Sequence, residues 1–276
     1  MLNSFKRRKY LLFSITLVAL LITFIAYTPF HSFADEDIFE TIHKEISSDK
    51  KIDPAFAAEY LKEMSTLHKH ENLAIDPSIE HVVVLSGRGS IFKKPVDGPN
   101  VKDPADDYHR IELSLTVAKG VVANRSHKDA SKITLEDIDK YGPRIIYNGR
   151  PLHNQYLKEA FEKGILTSYP ESKFDILGLD EDWSTRGQFK SLKTYLLLSN
   201  TSVAIVTHAY HFPRVARMID SKWHPFGPNT KIFFYLVDRE LEAPGIKEDI
   251  IGEMERIPTY ISKGDLNPAI PSHIHY

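Results

Sequence analysis

The chain contains no cysteine. That absence excludes disulfides, thiolate nucleophiles and cysteine-based zinc sites, and it leaves the compartment open. Charge of one sign is also missing, with 35 Lys and Arg set against 37 Asp and Glu for a formal charge of -2. Sequence-independent nucleic-acid binding needs a strongly basic face, so no nucleic-acid partner is expected. Several compact signatures are absent too. There is no G-x-G-x-x-G fingerprint, no G-x-S-x-G elbow and no H-E-x-x-H pair. His208 and His211 stand three apart without an intervening carboxylate, which gives no reason to expect a metal. No internal repeat or low-complexity tract interrupts the chain.

What is present begins at the amino terminus. Lys6-Arg7-Arg8-Lys9 precedes an uncharged stretch from Tyr10 to Phe30, most apolar from Leu11 to Tyr27. As a helix that core would span about 25 Å at ~1.5 Å per residue, close to a bilayer's hydrocarbon thickness. Basic residues before it and Asp35, Glu36 and Asp37 after it predict a single-pass plasma-membrane protein with its domain outside the cytoplasm. Small residues at Ser32-Phe33-Ala34 leave cleavage of a signal peptide, and secretion, as the rival reading.

Four regions follow: residues 1–34 as basic stretch and transmembrane or signal segment, 35–77 as a helical accessory segment, 78–241 as an α/β domain, and 242–276 as a carboxy-terminal helix and tail. In the accessory segment Ile38, Ile42 and Ile46 share one helical face and Phe56, Tyr60, Leu61, Met64 and Leu67 another. This segment is expected to pack on the main domain without carrying chemistry. His273 and His275 read as a mobile tail.

The central region alternates strands with helices. Apolar runs at His81–Leu85, Arg144–Tyr147, Lys173–Leu177, Ser202–Val206 and Lys231–Val237 predict five strands, near-continuous in apolar character as strands covered on both faces should be. Helical patterns at Tyr108–Ala123, His153–Lys163, Gln188–Leu198 and Phe212–Asp220 separate them. The expected fold is therefore a mainly parallel five-stranded sheet with helices on both faces. A short helix starting at Thr134 and a long Ile91–Asp107 loop, either a lid or a surface excursion, complete the pattern.

Polar residues recur where each strand ends. Ser86-Gly87-Arg88 follows the first, Asn148-Gly149-Arg150 the second, and Ser184-Thr185-Arg186 the third across a short acidic loop. The fourth is followed by Thr207-His208, His211 and Arg214. In an open parallel sheet these ends share one edge, where ligands bind. Pro213 suits the first turn of a helix, whose free N–H groups favour an anion. Arginines on one edge suit a phosphate or another multiply charged anion. An ordinary set of turns, with the arginines paired to surface carboxylates, explains each feature singly. Only their coincidence on one edge argues for a site. If the site is catalytic, His211 or His208 would act as acid–base and Arg214 would stabilise developing charge.

The segment Val206 to Arg214, VTHAYHFPR, together with HVVVLSGRG and IIYNGR, resembles the YdcF/SanA/ElyC-like family of bacterial envelope proteins, a domain of unknown function. The resemblance covers about Glu80 to Val237 and implies a Rossmann-like three-layer fold. It carries Thr207, Tyr210, His211 and Arg214 onto the family's site positions and places Arg110 where that family opens its first helix with Arg. Membrane-anchored relatives are associated with the cell envelope, and a soluble relative with S-adenosylmethionine, so that molecule or a nucleotide is the cofactor the resemblance implies. A protein partner docked on the accessory helices is a further expectation. The sequence departs from the family at Gly187, where a Glu is usual, at Gln188, where an Asn is usual, and at Arg150, which replaces a Gly. The lost Glu shifts the reading from catalysis toward binding of an anionic ligand.

Overall fold

The computed structural model describes residues 40–42, 44, 46, 52–67, 74–87, 106–178, 184–196, 201–227, 229–237 and 245–276. Residues 1–34, Arg88 and the 91–105 loop lie outside them. Among the described residues no helix is long and apolar enough to cross a membrane. Two units are distinguished, Met1–Lys44 and Glu45–Tyr276. The first contributes a few described helical residues, in which Lys44 lies 2.8 Å from Glu40 one turn earlier. Everything below concerns the second.

Five strands form one parallel sheet: β1 (Ile79–Leu85), β2 (Arg144–Asn148), β3 (Phe174–Leu177), β4 (Ser202–His208) and β5 (Ile232–Val237). Their spatial order is β3-β2-β1-β4-β5. The chain thus builds outward from β1 to one side and then returns to build β4 and β5 on the other. Right-handed crossovers put the connecting helices of the two halves on opposite faces. On one face α2 (Asp106–Ser126) and α4 (Pro151–Glu162) cover the sheet, with Val117, Ala118, Val121 and Leu157 packed against Val82, Val84, Ala204 and Tyr235. On the other lie α5 (Thr185–Leu196), α6 (Phe212–Ile219) and α7 (Ile246–Ser262), and Phe212 meets Phe234 edge-to-face at 4.9 Å. The architecture is Rossmann-like. All of β4 is buried, including Thr207 and His208.

The elements begin where side chains stop them from fraying. α3 (Leu135–Tyr141) starts at Thr134 through a reciprocal capping box with Asp137. α4 starts at Pro151, whose missing N–H costs nothing at that position. The accessory helix α1 (Pro54–Leu67) buries Tyr60, Leu61, Met64 and Leu67, the face expected from its spacing.

One expectation, the mobile tail at His273 and His275, is corrected. The carboxy terminus is docked along the edge of β5. His275 forms a parallel bridge with Phe233, accepts from Phe234 N–H at 2.7 Å and donates to the Ile232 carbonyl at 3.1 Å. Its ring stacks on Phe233, and Tyr276 packs on Phe212. An edge strand presents unpaired backbone groups, and these contacts satisfy some of them. The helix expected after residue 242 is present as Ile246–Ser262, and it supplies one wall of the cavity at the sheet edge.

Candidate functional site

The strand order reverses between β1 and β4, and their carboxyl ends open a crevice at the place where such sheets bind ligands. A cavity of about 340 Å³ lies there. Ser86 and Gly87 enter it from the end of β1, Arg150 from the start of α4, and Ser184, Thr185 and Gln188 from the first turn of α5. Tyr210, His211 and Arg214 enter after β4. The facing wall is one stripe of α7, Asp249, Glu253, Arg256 and Tyr260, at helical spacing of four, three and four.

The sequence-expected residues divide into two groups. Ser86, Gly87, Arg150, Thr185, Tyr210, His211 and Arg214 line the cavity together. Asn148, Gly149, Thr207 and His208 do not, and each has a structural task. Asn148 donates to the Gln188 carbonyl at 2.7 Å, while Gln188 returns 2.9 Å bonds to the carbonyls of Ser86 and Asn148. This one glutamine, at the position where the resembled family carries Asn, ties the ends of β1 and β2 to α5. Gly149 is required by close approach, since a Cβ there would fall 2.3 Å from the Tyr147 ring. Thr207 hydroxyl lies 3.1 Å from Nδ1 of His211.

His208, an acid–base candidate in the sequence, is not among the residues that line the cavity. It is fully buried, and its Nδ1 accepts from Nε of Arg110 at 2.8 Å, which puts the ring proton on Nε2. Arg186 lies over the Trp223 ring at 5.5 Å, away from this cavity.

Arg214 lines the cavity within an ion pair. Its Nε and Nη2 donate to the two oxygens of Glu253 at 2.6 and 2.8 Å, and Nη1 donates to the Thr185 hydroxyl at 2.8 Å. Glu253 is 1% exposed and also takes a 3.3 Å bond from Arg256. Three of the five N–H groups of this fork are thus engaged by Glu253 and Thr185, while the side chain still lines the cavity.

His211 sits amid these charges, with Nε2 3.3 Å from the Thr185 hydroxyl. Burial, reinforced by the positive charge of Arg214 and Arg110, holds its pKa well below the usual imidazole range. The ring is neutral at physiological pH.

Beneath Ser86 lies a buried cluster that local sequence reading missed. Asp107 accepts from the Ser86 hydroxyl and the Tyr147 hydroxyl, each at 2.6 Å, and from Gly87 N–H at 2.6 Å. Nδ1 of His153 is 3.0 Å from Asp107 and 3.0 Å from Ser86 Oγ, and Nη1 of Arg110 is 3.6 Å from Asp107. Burial pushes this carboxyl up, but the His153 hydrogen bond, Arg110 and the Gly87 N–H outweigh it, and the group stays below the usual carboxylate range. The triangle of serine, histidine and aspartate is not wired as a nucleophilic triad. A bare Nδ1 would oppose a carboxylate oxygen, so Nδ1 carries the proton and cannot take one from Ser86. The cluster instead fixes Ser86, Gly87 and Arg110. A Cβ on Gly87 would lie 2.5 Å from Nη1 of Arg110, so glycine is what lets the guanidinium lie against this turn.

Arg110 is the residue that this scaffold delivers to the cavity. It is 1% exposed, with Nε on His208 and Nη1 on the Leu85 carbonyl at 2.6 Å. Among the described residues Nη2 has no partner, although the side chain lines the cavity. The signal in the sequence was slight: an arginine one turn into a helix. Among the described residues no three His, Asp or Glu side chains are grouped to hold a metal ion. Comparison with protein-family models, curated proteins and solved structures finds no match for the chain.

Proposed function

We propose that this is a membrane-anchored protein of the cell envelope whose α/β domain binds an anionic small molecule, phosphorylated or nucleotide-like, at the carboxyl edge of the sheet. The observation that carries the reading is Arg110: a buried guanidinium held by His208, Leu85 and Asp107, with Nη2 left for the cavity. An anionic acceptor in the cavity would gain a charge-assisted hydrogen bond from that group, roughly twice as strong as a neutral one. Arg150 and Arg256 stand on the same cavity, against the carboxylates of Asp249 and Glu253. The export signal read at residues 6–37 supports the envelope, and the resemblance in Val206–Arg214 supports membership of the YdcF/SanA/ElyC-like family.

Calorimetric titration of the full chain with pyrophosphate tests the binding. Saturable binding is expected, and Arg256→Ala should weaken it about ten-fold, as loss of one partly exposed charge-assisted contact. No heat of binding, or unchanged affinity in the variant, would count against the site.

One observation favours a reaction at the same place. His211 lines the cavity with Nε2 within reach of the Thr185 hydroxyl, which places an imidazole nitrogen where a bound ligand's proton would be met. On that reading it acts as general base on a phosphorylated envelope precursor, and His211→Ala would abolish turnover without abolishing binding. A docking role for the accessory segment has less support, because α1 is engaged with the domain itself. The Tyr60 hydroxyl donates to the Tyr210 carbonyl at 2.5 Å, and Glu63 pairs with Arg217.

A further inference from the structure

Next to the first cavity lies a second, of about 280 Å³, and the two share Ser184, Thr185, Arg214 and Tyr260. Arg186 reaches it from the first turn of α5, and Lys263 from the residue that ends α7. Its charge is one-sided. Arg186, Arg214 and Lys263 line it against a single carboxylate, Asp265. That carboxylate is already engaged by two side chains outside the lining, Nζ of Lys222 at 2.8 Å and Nε1 of Trp223 at 3.2 Å. Glu253, the counter-ion of Arg214, lines the first cavity and not the second.

Arg214 joins the two cavities. Three of its five N–H groups go to Glu253 and Thr185, which leaves one on each Nη without a partner among the described residues. Its side chain is only 12% exposed, and it lines both cavities. Donors on a nearly buried guanidinium suit the oxygens of an anion better than any neutral group. Negative charge therefore has two places to sit: beside Arg110, Arg150 and Arg256 in the first cavity, and beside Arg186 and Lys263 in the second. A single small anion occupies only one of them.

We propose that the ligand carries two separate anionic groups, a phosphate in the first cavity and a second phosphate or a carboxylate in the second, joined past Thr185 and Arg214. This rests on the anion-binding reading of the first cavity and narrows its ligand class from an anion to a doubly anionic molecule.

The test titrates the full chain with propyl phosphate, with the bisphosphates of ethylene glycol, butanediol and hexanediol, and with ω-carboxyalkyl phosphates of the same lengths. At least one doubly anionic ester should bind about ten-fold more tightly than propyl phosphate, the scale of one added charge-assisted contact, and the better series identifies the second group. Arg186→Gln/Lys263→Gln should erase most of that advantage while leaving propyl phosphate affinity unchanged. Lys263→Gln alone, at an exposed position, should already reduce the advantage about three-fold. Lys158→Gln/Lys231→Gln removes the same charge from exposed positions outside both cavities and should keep it. Circular dichroism establishes that each variant is folded. If no doubly anionic ester has an advantage, or if both double variants lose it equally, or if folded Arg186→Gln/Lys263→Gln retains it, the proposal is overturned while propyl phosphate binding still upholds the anion site. If no ester binds, both readings fall.

Discussion

His211 shows how a residue's chemistry is decided by what surrounds it. In sequence it is an aromatic side chain before a helix; in the fold it is a neutral imidazole ringed by guanidinium groups. Its folded pKa lies below the unfolded value of about 6.5, so the folded protein binds fewer protons there. The resulting stability is present above about pH 6.5 and is lost as pH falls from there toward the folded pKa. His81 is shifted the same way, mainly by burial, so the measurement must be differential. Melting temperatures of wild type and His211→Asn between about pH 5 and 8 provide it. Wild type should lose more on the acid side than the variant; parallel curves would mean that His211 does not carry the dependence. At this scale the sequence was readable where function sits on strand ends. Ser86, Gly87, Arg150, Thr185, Tyr210 and His211 were all nameable, the tyrosine through the family resemblance. Asp107, His153, Glu253 and Arg256 were not, because they come from helices and act on partners between 21 and 67 residues away in the case of Ser86. No local pattern marks such a pairing.

Among elements, the bond between α6 and α7 is the one whose loss has the largest predictable effect. Arg214 and Glu253 form a bidentate pair in which the carboxylate is almost wholly buried. Breaking a buried pair from one side leaves a charge without its counter-ion and typically costs ~3–5 kcal/mol. Urea unfolding of Arg214→Ala should show a loss on that scale. The double variant Arg214→Ala/Glu253→Gln should recover part of it, since the uncompensated charge has gone. A single variant as stable as wild type would show that α7 holds its place without the pair. The strands themselves were legible from their apolar runs, within two residues at each amino end, as was the face that α1 buries. The role of α7 was not. The polar stripe Asp249, Glu253, Arg256, Tyr260 looks like any solvated face until the cavity is seen opposite it.

For the molecule as a whole, the strand order β3-β2-β1-β4-β5 fixes where a ligand can enter, and the docked terminus closes the far edge of the same sheet. Removing residues 273–276 would delete two backbone hydrogen bonds to β5, the Phe233 stack and the buried contacts of Ile274. A loss of roughly 2 kcal/mol is expected, seen by calorimetry as a fall of about 4–8 °C in melting temperature. An unchanged transition would mean that the bridge contributes nothing. Such a tail, short and polar at its end, carries no signal in sequence that distinguishes docking from freedom.

The wall that α7 provides has a consequence for how the protein comes into being. Synthesis runs from the amino terminus, and the earlier parts of a domain are available to fold before the later ones exist. Every strand, and every arginine of the cavity except Arg256, is made before α7, the last helix. Until that helix emerges, Arg214 has no Glu253, and the crevice between β1 and β4 lacks its facing side. The cavity is therefore completed late, and a truncated translation product carrying the whole sheet would lack the wall that Asp249, Glu253, Arg256 and Tyr260 provide.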